Sequence, residues 1–139
     1  MQHQYWLKMV GAADREVGDR WIEARPQLLR QVRFPRRPSG VNRGDVLVYY
    51  AAGDQKLFSI VRATHDGSEC EMGGPKDEAR WPFVMEVQTL LAIPQLALAP
   101  HWSVLGLPSS LVMQKSHVQI DHDKYLVAQR AIAERTAEL

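Results

Sequence analysis

The densest chemical signal in the sequence is a run of arginines. Between Ala24 and Gly44 stand six of them, Arg25, Arg30, Arg33, Arg36, Arg37 and Arg43, with no acidic residue among them. The planar guanidinium fork matches phosphate oxygens, so Arg33, Arg36, Arg37 and Arg43 are candidate phosphate contacts beside a pocket. A solvated loop whose arginines pair with acids elsewhere is the competing reading. Over the whole chain 17 Lys and Arg face 16 Asp and Glu, a formal net charge of +1. That balance argues against a strongly basic nucleic-acid wrapper and leaves room for a local patch.

Other groupings carry less. His117, Asp121, His122 and Asp123 offer nitrogen and oxygen donors, but they fall where a strand end and a helix cap are expected. His65 and Cys70 lack two further ligands at zinc-site spacing. Gly73-Gly74-Pro75-Lys76 has the composition of a phosphate loop, yet it neither follows a strong strand nor opens a clear helix. No G-x-G-x-x-G, Walker loop, G-x-S-x-G or H-E-x-x-H occurs. The spacing therefore marks no catalytic residue, no metal site and no cofactor.

The elements that must position these residues are those of a small soluble domain. At 139 residues, with 45% hydrophobic and 24% charged content, one domain over residues 1–139 is expected. The single cysteine, Cys70, excludes an internal disulfide framework and fits a reducing compartment. No apolar run is long enough to span a bilayer and no secretory signal is visible, so a cytoplasmic protein without membrane partners is expected. Tyr5–Val10 reads as a first strand and Gly11–Arg20 as a loop. Leu28, Leu29 and Val32 recur at helical spacing after Pro26, which suits a first turn. Val46–Tyr50 and Phe58–Val61, around a Gly-bearing loop, read as a hairpin at the heart of the sheet. Thr64–Arg80 reads as a long exposed connection and Phe83–Leu90 as an alternating strand led in by Pro82. Short helical turns over 93–107 follow, with Ser109 or Ser110 capping a further turn. Ser116–Ile120 reads as a strand, and Asp121 or Asp123 caps a helix from Lys124 to about Glu134 with Tyr125, Ala128 and Ile132 on one face. The order suggests an α+β protein, a small mixed sheet of five to six strands curling into an open barrel with a C-terminal helix.

Taken together, several of these stretches resemble one family. Tyr5-Trp6-Leu7, Gly44-Asp45-Val46-Leu47-Val48-Tyr49-Tyr50, Phe58-Ser59-Ile60-Val61, Trp81-Pro82-Phe83 and the unit from Ser116 to Tyr125 look like the EVE domain of the PUA-like superfamily, a relative of the YTH readers of methylated adenine. The resemblance implies a non-catalytic reader of nucleic acid, DNA or RNA, that holds a modified or flipped-out base in an aromatic-lined pocket. It places that pocket among Lys8–Gly11, Tyr49–Gly53 and Ser110–Lys115. Lys8, Met9, Tyr50, Ala51, Gln114 and Lys115 are then pocket residues, and Trp21 and Trp81 are candidates for a stacking wall. Tyr49 and Tyr50 point to opposite faces of one strand, and Tyr50, nearer the loop, is the one expected to face the pocket. Two other functions stay open. One is an enzyme of the wider superfamily such as an ASCH-like nuclease, drawing on Lys8, Lys115 and Asp45. The other is a small-molecule pocket.

Overall fold

The strand that opens the chain lies between two strands contributed from far along it. In the computed structural model, which describes residues 3–11, 17–73, 81–113 and 115–137, β1 (Tyr5–Val10) pairs parallel with β3 (Val46–Ala51). On its other side it pairs antiparallel with β7 (His117–Ile120). β3 runs into β4 (Lys56–Ala63) as the expected antiparallel hairpin, with a register shift between Tyr49 and Tyr50. β4 pairs with β6 (Phe83–Ala92), and β6 takes both β2 (Gln31–Phe34) and the two-residue β5 (Glu71–Met72). The sheet order is β2-β6-β4-β3-β1-β7, with β5 off this path on β6.

All six residues of β3 are buried, as a central strand rich in β-branched and aromatic residues should be. The turn before it needs Gly44, whose φ of 89° is open to glycine and whose Cβ would meet the His3 ring at 2.6 Å.

The two ends of this order meet. Phe34 of β2 packs edge-on against His117 of β7, ring centroids 5.0 Å apart at 88°. A sheet whose end strands touch through their side chains is curled, and the chain is an α+β fold built on an open half-barrel. Alternation along β1 then decides what goes where. Trp6 and Lys8 face the inside with Phe34 and His117, while Tyr5 stacks outward on Tyr125 at 4.4 Å. Tyr125 belongs to α2 (His122–Ala137), which buries Ala128 and Ile132 and begins on the Asp121 carboxylate, whose Oδ1 accepts from Lys124 N at 2.8 Å.

Three expectations need correction. Among the described residues the sheet has seven strands, two of them the short β2 and β5, where the sequence pattern predicts helix or loop. Val32 and Phe34 are buried at period two, but four residues are too few to outweigh the helical spacing of Leu28, Leu29 and Val32. Here α1 (Trp21–Ala24) and a 3₁₀ turn at Pro26–Leu29 end before Gln31. The stretch after Thr64 is also less open than expected. A capping box of Asp66 and Glu69 holds a 3₁₀ turn, and the amide of Gly67 donates to Val41 O at 2.7 Å. Finally, the turn at Ser109–Leu111 follows Pro108 and has no side-chain cap.

Candidate functional site

Lys8 is the residue the fold treats most unusually. It stands on the inner face of a strand that otherwise reads Tyr-Trp-Leu-Met-Val, and only 1% of it is exposed. Its Nζ donates to Met9 O at 2.7 Å and, at 3.4 Å, to Ser116 O. Two rings flank the amine, Trp81 at 4.3 Å to its centroid and Phe34 at 4.6 Å. No carboxylate of the described residues lies within ion-pair distance of it. Burial without a counter-charge disfavours the ammonium, so the amine is pushed well below its usual 10.5.

Around it the curled sheet assembles a small polar and aromatic cluster. His117 is the register partner of Lys8 on β7, and its Nδ1 shares a 2.6 Å hydrogen bond with Ser116 Oγ. Its ring lies 5.3 Å from that of Trp6 and 5.0 Å from that of Phe34. Burial first, and the Lys8 cation second, lower it from 6.5 to about 4. At neutral pH the imidazole is uncharged. The unfolded chain takes up a proton near pH 6.5 and the folded one only near pH 4, so stability present above 6.5 is lost as pH falls through that window. Discounted for partial exposure, the loss is about 2 kcal/mol. Chemical denaturation at pH 7 and pH 4 checks this, and His117→Gln should show a correspondingly smaller acid loss.

Trp81 covers the amine from the lead-in to β6 and is partly exposed, whereas Phe34 is fully buried. Arg33 of β2 holds that segment, donating from Nη1 to Gly73 O at 2.6 Å and to Trp81 O at 3.3 Å.

Of the residues expected at the pocket, the fold brings Lys8 and Trp81 together, with Arg33 behind Trp81. Others lie elsewhere. Trp21 is fully buried; its Nε1 donates to Ile93 O at 2.7 Å and its ring meets Phe58 edge-on at 4.9 Å. It is core, so it cannot be a stacking wall. Tyr50 shares a register position with Met9, not Lys8, and packs against Trp102 at 5.5 Å. The expectation that it faces the pocket is therefore overturned. Tyr49 is the register partner of Lys8, and its hydroxyl is taken up by Leu28 O at 3.0 Å. Met9 enters only through its carbonyl, and Ala51 is buried. Lys115 is exposed next to Ser116, and Gln114 lies outside the described residues.

The arginines divide in two. Arg33 is committed to carbonyl oxygens. Arg37, though exposed, donates from Nε to Cys70 O at 3.0 Å and rests over the Phe83 ring at 5.2 Å. Arg36 and Arg43 present exposed side chains. Asp45 accepts from Gln4 N, Gln4 Nε2, Trp6 Nε1 and Asn42 N at 2.8–3.1 Å, so its oxygens are occupied by the fold. Among the described residues no three of His, Cys, Asp and Glu converge as metal ligands. His117 faces the inside while His122 sits outside beside Tyr5.

Nothing local in the sequence marks Phe34 or Ser116 as neighbours of Lys8, and His117 reads there as a strand-end residue or a metal donor. The available signal was Lys8 itself, one charge in an apolar strand.

No family model and no curated relative matches the chain. Its fold is found in solved structures. A hypothetical protein from Leishmania major superimposes with a TM-score of 0.57 at 10% identity, over 97% of this chain and 98% of that one. A protein from Pseudomonas putida does so at 0.52 and 13% identity, over 91% and 98%. Likeness at this identity establishes the shared fold. Among the described residues, no helix is long and apolar enough to cross a membrane.

Proposed function

We propose that the chain binds a nucleobase of DNA or RNA where the two ends of the curled sheet meet, and reads it without chemistry. The observation that carries this reading is a buried amine held between two aromatic rings, one of them partly exposed. A base taken out of its stack needs an aromatic face and donors for its edge. Trp81 offers the face and Lys8 the donor. His117, uncharged at neutral pH, adds no cation beside Lys8. Arg36 and Lys115, both exposed and close in sequence to Phe34 and Ser116, supply positive charge for the flanking phosphates. The EVE-like stretches noted in the sequence point the same way.

The test is a binding screen against single-stranded oligonucleotides carrying different modified bases. Trp81→Ala should weaken the best binder by about 5- to 150-fold, the worth of one stacked base, with the circular dichroism spectrum unchanged. Equal affinity in parent and variant would show that the ring is no stacking face. Arg36→Glu with Lys115→Glu should weaken all oligonucleotides alike and flatten the salt dependence. An unchanged salt slope would remove both from the interface.

A further inference from the structure

We propose that Lys8 is a covalent capture site for an aldehyde carried on a flat aromatic ring, held beside Trp81 as a reversible imine. This goes beyond the non-covalent base reading and does not depend on it. A formylated nucleobase and a free aromatic aldehyde share the chemistry, and the experiment below separates them.

The geometry is that of a nucleophile. The amine stands on the inner face of β1, in a residue 1% exposed, between the rings of Trp81 and Phe34. Among the described residues its hydrogen-bond partners are Met9 O at 2.7 Å and Ser116 O at 3.4 Å, both acceptors. Acceptors engage N–H groups and cannot engage a lone pair. An uncharged amine has two N–H groups and one lone pair, so these two carbonyls suit it and leave the lone pair unspent. Burial favours that uncharged form. Desolvation in an apolar setting is a general way to make lysine a nucleophile toward carbonyl carbon. The titratable groups at the neighbouring register positions do not oppose it. His117 is uncharged at neutral pH, and the Tyr49 hydroxyl is taken up by Leu28 O.

The rings choose the partner. Phe34 is sealed and Trp81 partly exposed, so an aldehyde reaches Nζ along Trp81. A flat conjugated ring stacks there as it arrives, and an aliphatic aldehyde does not. The step balances without a co-reactant. The lone pair adds to the aldehyde carbon, the C=O π pair moves to oxygen, and both amine hydrogens leave with that oxygen as water. The product is a C=N bond, nothing is oxidised or reduced, and hydrolysis restores lysine and aldehyde. A solvent proton taken up by the imine nitrogen gives Met9 O a donor again.

The experiment uses three probes: a single strand with a central 5-formylcytosine, benzaldehyde, and propanal as the aliphatic control. Each is incubated with the parent protein at mildly alkaline pH, reduced with cyanoborohydride and mapped by peptide mass. At least one ring aldehyde should label Lys8 about 10-fold or more above any other lysine in the sample, because an ordinary lysine there is almost all ammonium. It should also exceed labelling of Lys8 by propanal. Unfolding the parent in urea should abolish the selectivity, a readout that needs no variant, and Lys8→Met should remove that adduct alone. Labelling by the strand alone supports capture of a nucleobase, by benzaldehyde alone capture of a small molecule, and by both recognition of the ring itself. Labelling spread evenly over the lysines of the native protein, none at Lys8, or equal labelling by propanal overturns the proposal. The base-binding reading then still stands or falls by its own screen.

Discussion

Raising the pH from neutral toward 9 should stabilise this protein, and Lys8→Met should remove most of that gain; above 9 the buried Cys70 thiol, pushed up to about 11, works the other way. The amine of Lys8 is held well below 10.5 in the folded state by burial. In the unfolded chain it titrates at its ordinary value. Between the two the unfolded state binds a proton that the folded state does not, so stability increases with pH, at about 1.4 kcal/mol per unit where the difference is a full proton. The gain ends as pH passes 10.5, where both states are neutral. Urea titrations at several pH values on parent and variant isolate the term, since other groups contribute equally to both. Lys8→Met should be the more stable protein at pH 7, because a buried amine without a carboxylate is replaced by a side chain that suits the site. Parallel pH profiles for the two proteins would mean that the amine keeps its ordinary basicity and that its burial costs nothing.

Asp45→Ala should do the reverse and cost on the order of 4 kcal/mol, a large part of the 5–15 kcal/mol typical of a domain. The carboxylate is 1% exposed and accepts four N–H donors. Its removal leaves the amides of Gln4 and Asn42 and the indole of Trp6 without their acceptor. Asp45→Asn should fare little better. Oδ2 takes three of the four bonds and Oδ1 the other, so an amide NH₂ in either place faces a donor. Thermal melts of both variants provide the measurement. A loss below about 1 kcal/mol would show that water replaces the carboxylate without penalty.

What was legible in the sequence follows from how local each signal was. The β3–β4 hairpin, the strand after Pro82 and the face of α2 repeat over enough residues to declare their period. β2 does not, because four residues of period two follow a segment whose apolar residues fall at helical spacing. The site was half legible for a different reason. Lys8 is conspicuous as a charge in an apolar strand, and Trp81 precedes a strand where a ring can overhang. Trp21 has the same chemistry as Trp81, and only its turn toward Phe58 and Ile93 makes it core. Phe34 and His117 come from opposite ends of the sheet order, and no local pattern reports that the sheet curls until they touch.

The placement of β1 also bears on how the chain reaches its native state. Its partners are β3 and β7, and the contact of Lys8 with Ser116 spans a sequence separation of 108. Closing such a loop costs chain entropy before any packing offsets it, so this topology belongs with the slower-folding domains. Until β7 arrives, β1 exposes one row of backbone donors and acceptors as an unpaired strand edge. The last strand to dock is then the one that both seals that edge and positions Ser116 and His117 beside Lys8. Refolding followed by quenching of Trp81 should therefore report completion of the site and closure of the sheet as a single late event.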